Sequence, residues 1–148
     1  MTVERRLSDV VIVMKHDQTI IFIGKKDANH VMIEVMPKVV AGWRSANIVV
    51  RCGVWTGHYE GQFLVGELTK FGKEIEDYRE KVKPAAALNS VEHYLQIRLS
   101  GEGHGPVHVS GEARERLGAK TALVFEFEMD RGALADVARG LMEGDRLE

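Results

Sequence analysis

Cysteine is nearly missing from this chain. Cys52 is the only one in 148 residues, so an intramolecular disulfide is excluded and nothing implies an oxidising compartment. Long hydrophobic runs are missing as well. None approaches the roughly 20 residues that a membrane helix needs. Arg5 and Arg6 precede the apolar stretch Val10-Val11-Ile12-Val13-Met14, but Lys15, His16 and Asp17 end it too early for a signal peptide. An excess of charge of one sign is also lacking. The chain carries 20 Lys plus Arg against 22 Asp plus Glu, a formal net charge of −2. A dedicated nucleic-acid binder would normally show a basic patch or stripe, so neither nucleic acid nor membrane is expected as a partner. The motifs G-x-S-x-G, H-E-x-x-H and Walker A do not occur.

What is present is ordinary. Hydrophobic residues make up 45% and charged residues 28%, close to the average for soluble globular proteins. That excludes collagen, a coiled coil, a wholly disordered chain and a disulfide scaffold. At this length one domain is the default, burying roughly 68–70% of the surface of its unfolded chain. A single domain over residues 1–146 in the cytoplasm is the simplest expectation. Leu147 and Glu148 look like a cloning scar and are set aside. The charge tilts along the chain: residues 1–74 hold 10 basic and 8 acidic side chains, and residues 75–148 hold 10 basic and 14 acidic. A slightly acidic C-terminal half favours a basic partner.

The first third reads as strands. Val10 to Lys15 and Thr19 to Gly24, separated by His16-Asp17-Gln18, have the spacing of a tight hairpin. A third run, Val31 to Met36, is expected to end at Pro37, which lacks a backbone donor. Ile48 to Trp55 and His58 to Phe63 make a fourth and a fifth strand around a turn at Thr56-Gly57. Helical periodicity is clearest over Glu67 to Lys83, where Leu68, Phe71, Ile75, Tyr78 and Val82 form one apolar stripe. Pairs four apart on the other face (Lys70 with Glu74, Lys73 with Asp77, Asp77 with Lys81) add about 0.2–0.5 kcal/mol each. Pro84 is expected to stop this helix.

Ala85 to Ser90 reads as a linker into three more strands. Tyr94 to Leu99 alternates, the glycine-rich Gly101 to Gly105 forms a turn, and Val107 and Val109 continue the apolar side. Arg114 to Gly118 is a second turn. Ala122 to Met129 then puts Leu123, Phe125, Phe127 and Met129 on one face and Glu126 and Glu128 on the other. Pairing Leu99 with Val107 and Val109 with Leu123 keeps the apolar parity. It sets Arg98 near His108 and Glu112 near Lys120. Asp130 suits the N-cap of a last helix, Arg131 to Glu143, with Leu134, Val137 and Leu141 as its stripe. No internal repeat is visible. The order lacks a βαβ alternation and predicts an α+β fold. Its antiparallel sheet would have about eight strands, as one bent sheet or two packed sheets, with one long amphipathic helix and a C-terminal helix.

Few residues suggest chemistry. Cys52, in phase with Ile48, Val50 and Val54, reads as core filler, because free cysteine is among the most buried residue types. His104-x-x-x-His108 has metal-like spacing, but Gly101, Gly103, Gly105 and Pro106 make a helix implausible and no acid or cysteine cluster completes a zinc set. The glycines themselves lie between two strands, whereas a phosphate loop needs a helix N-terminus after it. Glu126 and Glu128, with Asp130 beyond, read as the polar face of an antiparallel sheet in preference to an acid–base pair. Trp43 and Trp55 could each anchor a partner, with packing at the sheet the expectation for Trp55. Trp43, in Gly42-Trp43-Arg44, is expected in a loop. No catalytic set, metal site or cofactor is expected.

From Trp43 onward the chain resembles the small bacterial WapI-type immunity proteins, over about residues 43–142. Trp43 precedes a strand over Asn47 to Val54. A Gly-aromatic strand follows (Gly57-His58-Tyr59-Glu60-Gly61-Gln62-Phe63), then the helix with Leu68 and Phe71. Next come a strand around Glu92 to Leu99, a Gly-led strand over Gly105 to Gly111, and an apolar–acidic strand, Leu123 to Asp130, entering a helix with Leu134 and Val137. The resemblance implies a protein that neutralises a toxin by binding it, without catalysis. The expected partner face uses Glu112, Glu126 and Glu128, with Trp43 nearby or elsewhere. Two alternatives stay open: a small ligand-binding protein or enzyme with a site between helix and bent sheet, and a homo-oligomer paired through an exposed strand edge.

Overall fold

A computed structural model describes residues 2–7, 10–15 and 19–146, with only the backbone described for the first two segments. The remaining N-terminal positions, including the expected turn His16-Asp17-Gln18, and Leu147 and Glu148 lie outside the described residues.

The fold is α+β. Strands β1 (Thr2–Leu7) and β2 (Val10–Lys15) form an antiparallel ribbon. The next four strands are β3 (Thr19–Gly24), β4 (His30–Val40), β5 (Trp43–Cys52) and β6 (Trp55–Leu64). They make one antiparallel meander, and helix α1 (Glu67–Arg79) follows it. A second meander consists of β7 (Ala85–Asn89), β8 (Leu95–Ser100), β9 (Val107–Ala113) and β10 (Leu123–Met129). A 3-10 turn over Arg131–Ala133 then leads into helix α2 (Leu134–Gly144). The chain therefore runs twice through the same order, four strands and then a helix. This repeat is topological, and the residues themselves do not show it.

Strand parity explains the core. Ile21 and Ile23, Val31, Ile33 and Val35, and Ala46, Ile48 and Val50 face inward from the first sheet. Leu95, Ile97 and Leu99, Val107 and Val109, and Phe125, Phe127 and Met129 face inward from the second. The two helices lie against each other, α1 beside β7 and α2 beside β3. Leu68, Phe71 and Ile75 join Leu134, Val137 and Leu141 in the same buried cluster. One face of each of these strands and of both helices is thus removed from water, the main driving force for the fold.

Several local expectations are corrected. β2 pairs with β1 and β3 with β4, so the two runs flanking residue 17 do not form a hairpin with each other. Pro37 does not end its strand. It sits inside β4, where the register shifts between Val35 and Val39, and a bulge is where a missing N–H costs least. β5 starts at Trp43, and Trp55 opens β6. The chain reverses at Gly53, whose φ of +61° suits glycine, so Thr56 and Gly57 are strand residues.

The helix after β6 is short, at 13 residues. It ends in a Schellman motif: the N–H of Val82 donates to Asp77 O at 2.8 Å and that of Lys81 to Tyr78 O at 3.0 Å. Lys81 takes the left-handed conformation, φ +64°. Val82 therefore leaves the stripe and is exposed. The expected linker is β7, paired to β8 from Ala85 with Ser100 to Asn89 with Gln96. In the second sheet Leu99 pairs with Val109, and Val109 with Phe127. The offsets from the expected pairings are two and four residues, both even, so every side chain keeps its face while the neighbours change. Arg98 stands opposite Ser110, and Glu112 opposite Val124. Asp130 caps the 3-10 turn, accepting from Gly132 N at 3.0 Å, and α2 begins only at Leu134.

Candidate functional site

The outward face of the second sheet carries the polar residues of β8, β9 and β10. Across β10 and β9, Glu128 stands opposite His108, Glu126 opposite Ser110 and Val124 opposite Glu112. β8 adds Gln96, Arg98 and Ser100 in the same rows. Glu112, Glu126 and Glu128 therefore share one face because they alternate with Val109, Phe125 and Phe127, which the core takes. Two of these carboxylates are tethered. Glu126 Oε1 lies 2.8 Å from His108 Nε2. Glu112 Oε1 accepts from Arg114 Nε at 2.6 Å, while Arg114 Nη1 donates to Ala119 O at 2.5 Å and pins the following turn.

At one end of this face the loop Gly101–Gly105 is tied down by Arg131. Its Nε donates to Gly105 O at 2.8 Å and its Nη2 to Gly101 O at 3.1 Å. Tyr78 donates its hydroxyl to Gly101 O at 2.7 Å, and the Arg131 guanidinium lies over the Tyr78 ring. An open cleft of about 650 Å3 beside this loop is lined by Lys25, His104, Glu128, Asp130 and Arg131, among others. Asp130 and Arg131 are committed to backbone partners there, so their roles are structural. Among the described residues no three His, Cys, Asp or Glu side chains converge as a metal site. His104 sits on the exposed loop and His108 on β9.

Trp43 lies in the other sheet. It is the half-buried first residue of β5, opposite Val40 and Leu64, and not a loop residue. The structure brings the three glutamates together and leaves Trp43 apart from them. Trp55 also departs from expectation: it is 66% exposed beside the tip residue Val54. Cys52 is half-buried and donates its thiol hydrogen to Glu126 O at 3.4 Å.

The family model of WapI-like immunity proteins matches residues 37–143, well over half of the chain. The chain belongs to the WapI-like immunity protein family. No curated protein matches it. Among solved structures, a chain from the crystal structures of Trypanosoma brucei MRP1/MRP2 aligns over 86% of this chain and 82% of its own, with 7% sequence identity and a TM-score of 0.47.

The stretch shared with the WapI-like proteins begins at the β4 bulge. It takes in the β5–β6 turn, α1, the whole second sheet and nearly all of α2. The three glutamates, Trp43 and Trp55 all fall within it. The exposure of Trp55 is what the expected packing at the sheet did not anticipate. Its signal was Gly53-Val54 just before it, a turn dipeptide that places an aromatic at the start of a new strand and beyond the reach of the core.

Proposed function

We propose that the protein is an immunity protein that neutralises a toxin-type protein partner by binding it in the cytoplasm, without catalysing a reaction. Membership of the WapI-like immunity family is the observation that carries this reading. The arrangement of groups agrees with it. A binder needs a rigid scaffold and a complementary face, and the second sheet presents Glu112, Glu126 and Glu128 on strands whose other face is locked into the core. The partner face is assigned to these carboxylates, which suit a basic partner. Trp43 contributes to it only with a partner broad enough to reach the first sheet. A net charge of −2 makes long-range steering weak, so affinity would rest on contact.

The rival reading, a ligand or enzyme site between helix and sheet, meets a filled space. Phe71, Ile75, Leu134 and Leu141 occupy that interface and are almost wholly buried. The test is direct. The purified chain is titrated with the toxin domain encoded beside its own gene, and the toxin's activity is assayed with and without it. Saturable binding with loss of toxin activity is the expected result. A well-folded chain that neither binds nor inhibits that toxin would overturn the reading.

A further inference from the structure

The β5–β6 turn carries apolar side chains that the core does not use. Val54 is 91% exposed and Trp55, as noted, is mostly so. Trp55 pairs with Cys52, so both side chains project from the same face of the hairpin. Opposed residues of an antiparallel pair have Cβ atoms about 4.5–5.5 Å apart. That face turns toward β10. Cys52 bonds to Glu126 O, and a Cβ placed on Gly57 would stand 3.8 Å from Leu123 Cδ2. The hairpin end that carries Trp55 therefore stands beside the Leu123–Glu126 stretch of β10. Within that stretch Val124 is 74% exposed, next to Glu112 on the outward face.

The apolar turn and the carboxylate face thus adjoin the same strand, β10. This sets it apart from the exposed valines at the other end of the first sheet. There Val39 and Val65 border a hollow whose lining holds the buried Arg44–Asp145 pair together with the exposed Lys38 and Arg146, so its solvent-facing charge is positive and unsuited to a cation. An arginine side chain fits the Trp55 end for two reasons. Its guanidinium stacks on an indole face, and its fork of donors matches carboxylates. Tryptophan is also the residue type over-represented where interfaces concentrate their energy.

We propose that Trp55, Val54 and Val124, edged by Glu112, Glu126 and Glu128, anchor the partner, and that the occupant is a protein surface centred on arginine side chains. This rests on the immunity reading and adds to it the residues that hold the partner. The test measures the affinity of the neighbouring toxin domain for the wild-type chain, Trp55→Ala, Val124→Ser and the double variant Glu126→Gln/Glu128→Gln. Circular dichroism checks that each is folded. All four side chains are solvent-facing, so the fold should persist. Trp55→Ala and Val124→Ser should each raise Kd at least tenfold, and the glutamine pair should weaken binding most at low salt. Wild-type binding with both apolar variants within twofold would overturn this surface and leave the immunity reading standing. No wild-type binding would overturn both. Sedimentation of the chain alone covers the remaining occupant: a dimer that Trp55→Ala converts to monomer would replace the partner by a second copy.

Discussion

The guanidinium of Arg44 and the carboxylate of Asp145 face each other at 3.7 Å, 101 residues apart in the chain, with both side chains almost wholly buried. Their remaining groups tie four elements together. Arg44 Nη1 donates to Met36 O and Pro37 O in the β4 bulge, and Nη2 donates to Asp145 O. Asp145 Oδ2 accepts from Gly66 N and Thr69 N, both at 2.9 Å. Asp145 thus caps the start of α1 from the end of α2, where Gly66, the local cap residue, has no side chain to offer. Among the described residues, Arg44 Nε and Asp145 Oδ1 have no hydrogen-bond partner. The pair therefore depends on its mutual charge.

Removing one member should be severe. Asp145→Ala strands a buried cation and uncaps α1, and breaking such a pair costs about 3–5 kcal/mol. Urea denaturation of Asp145→Ala, Arg44→Met and the double variant should show the double well below the sum of the singles. Additive losses would show the two side chains to be uncoupled.

Gly111 sits in β9 with a partner strand on either side. A Cβ there would come within 2.2 Å of Gln96 O and 2.5 Å of Phe125 Cζ. Gly111→Ala must move backbone or tilt the Phe125 ring, an overpacking cost of about 1–3 kcal/mol. Gly105→Ala, where nothing lies within 4 Å, should leave the melting temperature nearly unchanged. Equal stability of the two variants would refute this packing.

Lys81 holds the left-handed position that ends α1, a conformation that costs a non-glycine residue about 1–2 kcal/mol. Lys81→Gly should raise stability by roughly 1 kcal/mol, read as a shift in the urea midpoint. A lower midpoint would count against the Schellman geometry.

Tyr59 donates its hydroxyl to Tyr94 O at 2.6 Å, and burial pushes its phenol above the ordinary value of 10.0. Below pH 10 the group is protonated in both folded and unfolded chains, so its contribution is fully present. Above pH 10 the unfolded chain releases this proton first, and stability falls as pH rises toward the folded value. Stability measured from pH 8 to pH 11 should fall more steeply in the wild type than in Tyr59→Phe. Parallel profiles would mean that Tyr59 ionises freely.

Periodicity made much of this legible. The stripe Leu68, Phe71, Ile75, Tyr78 and the alternation of Leu123, Phe125, Phe127, Met129 record which face meets water, and those faces are as observed. The end of α1 was hidden, because Lys81 fills a position usually marked by glycine. β7 was hidden too. Ala85-Ala86-Ala87-Leu88-Asn89 has little intrinsic strand preference, and it is extended because β8 offers a row of backbone partners. Placing the three glutamates on one face needed only parity. Placing Trp43 in the first sheet and the β5–β6 hairpin end beside β10 needed the docking of β10 against β5 and β6.

The residue pattern by itself determined fold class, strand faces and the composition of the core, since burial selects side chains locally and with a fixed period. Only the tertiary structure decided the register of β9, the partners of β2 and β3, the cap that Asp145 lends to α1, and the approach of the β5–β6 turn to β10. The reason is geometric. A two-residue slip preserves every inward and outward face, and contacts between distant segments leave no period in the chain. Such choices are made by how the sheets and helices fill space against one another.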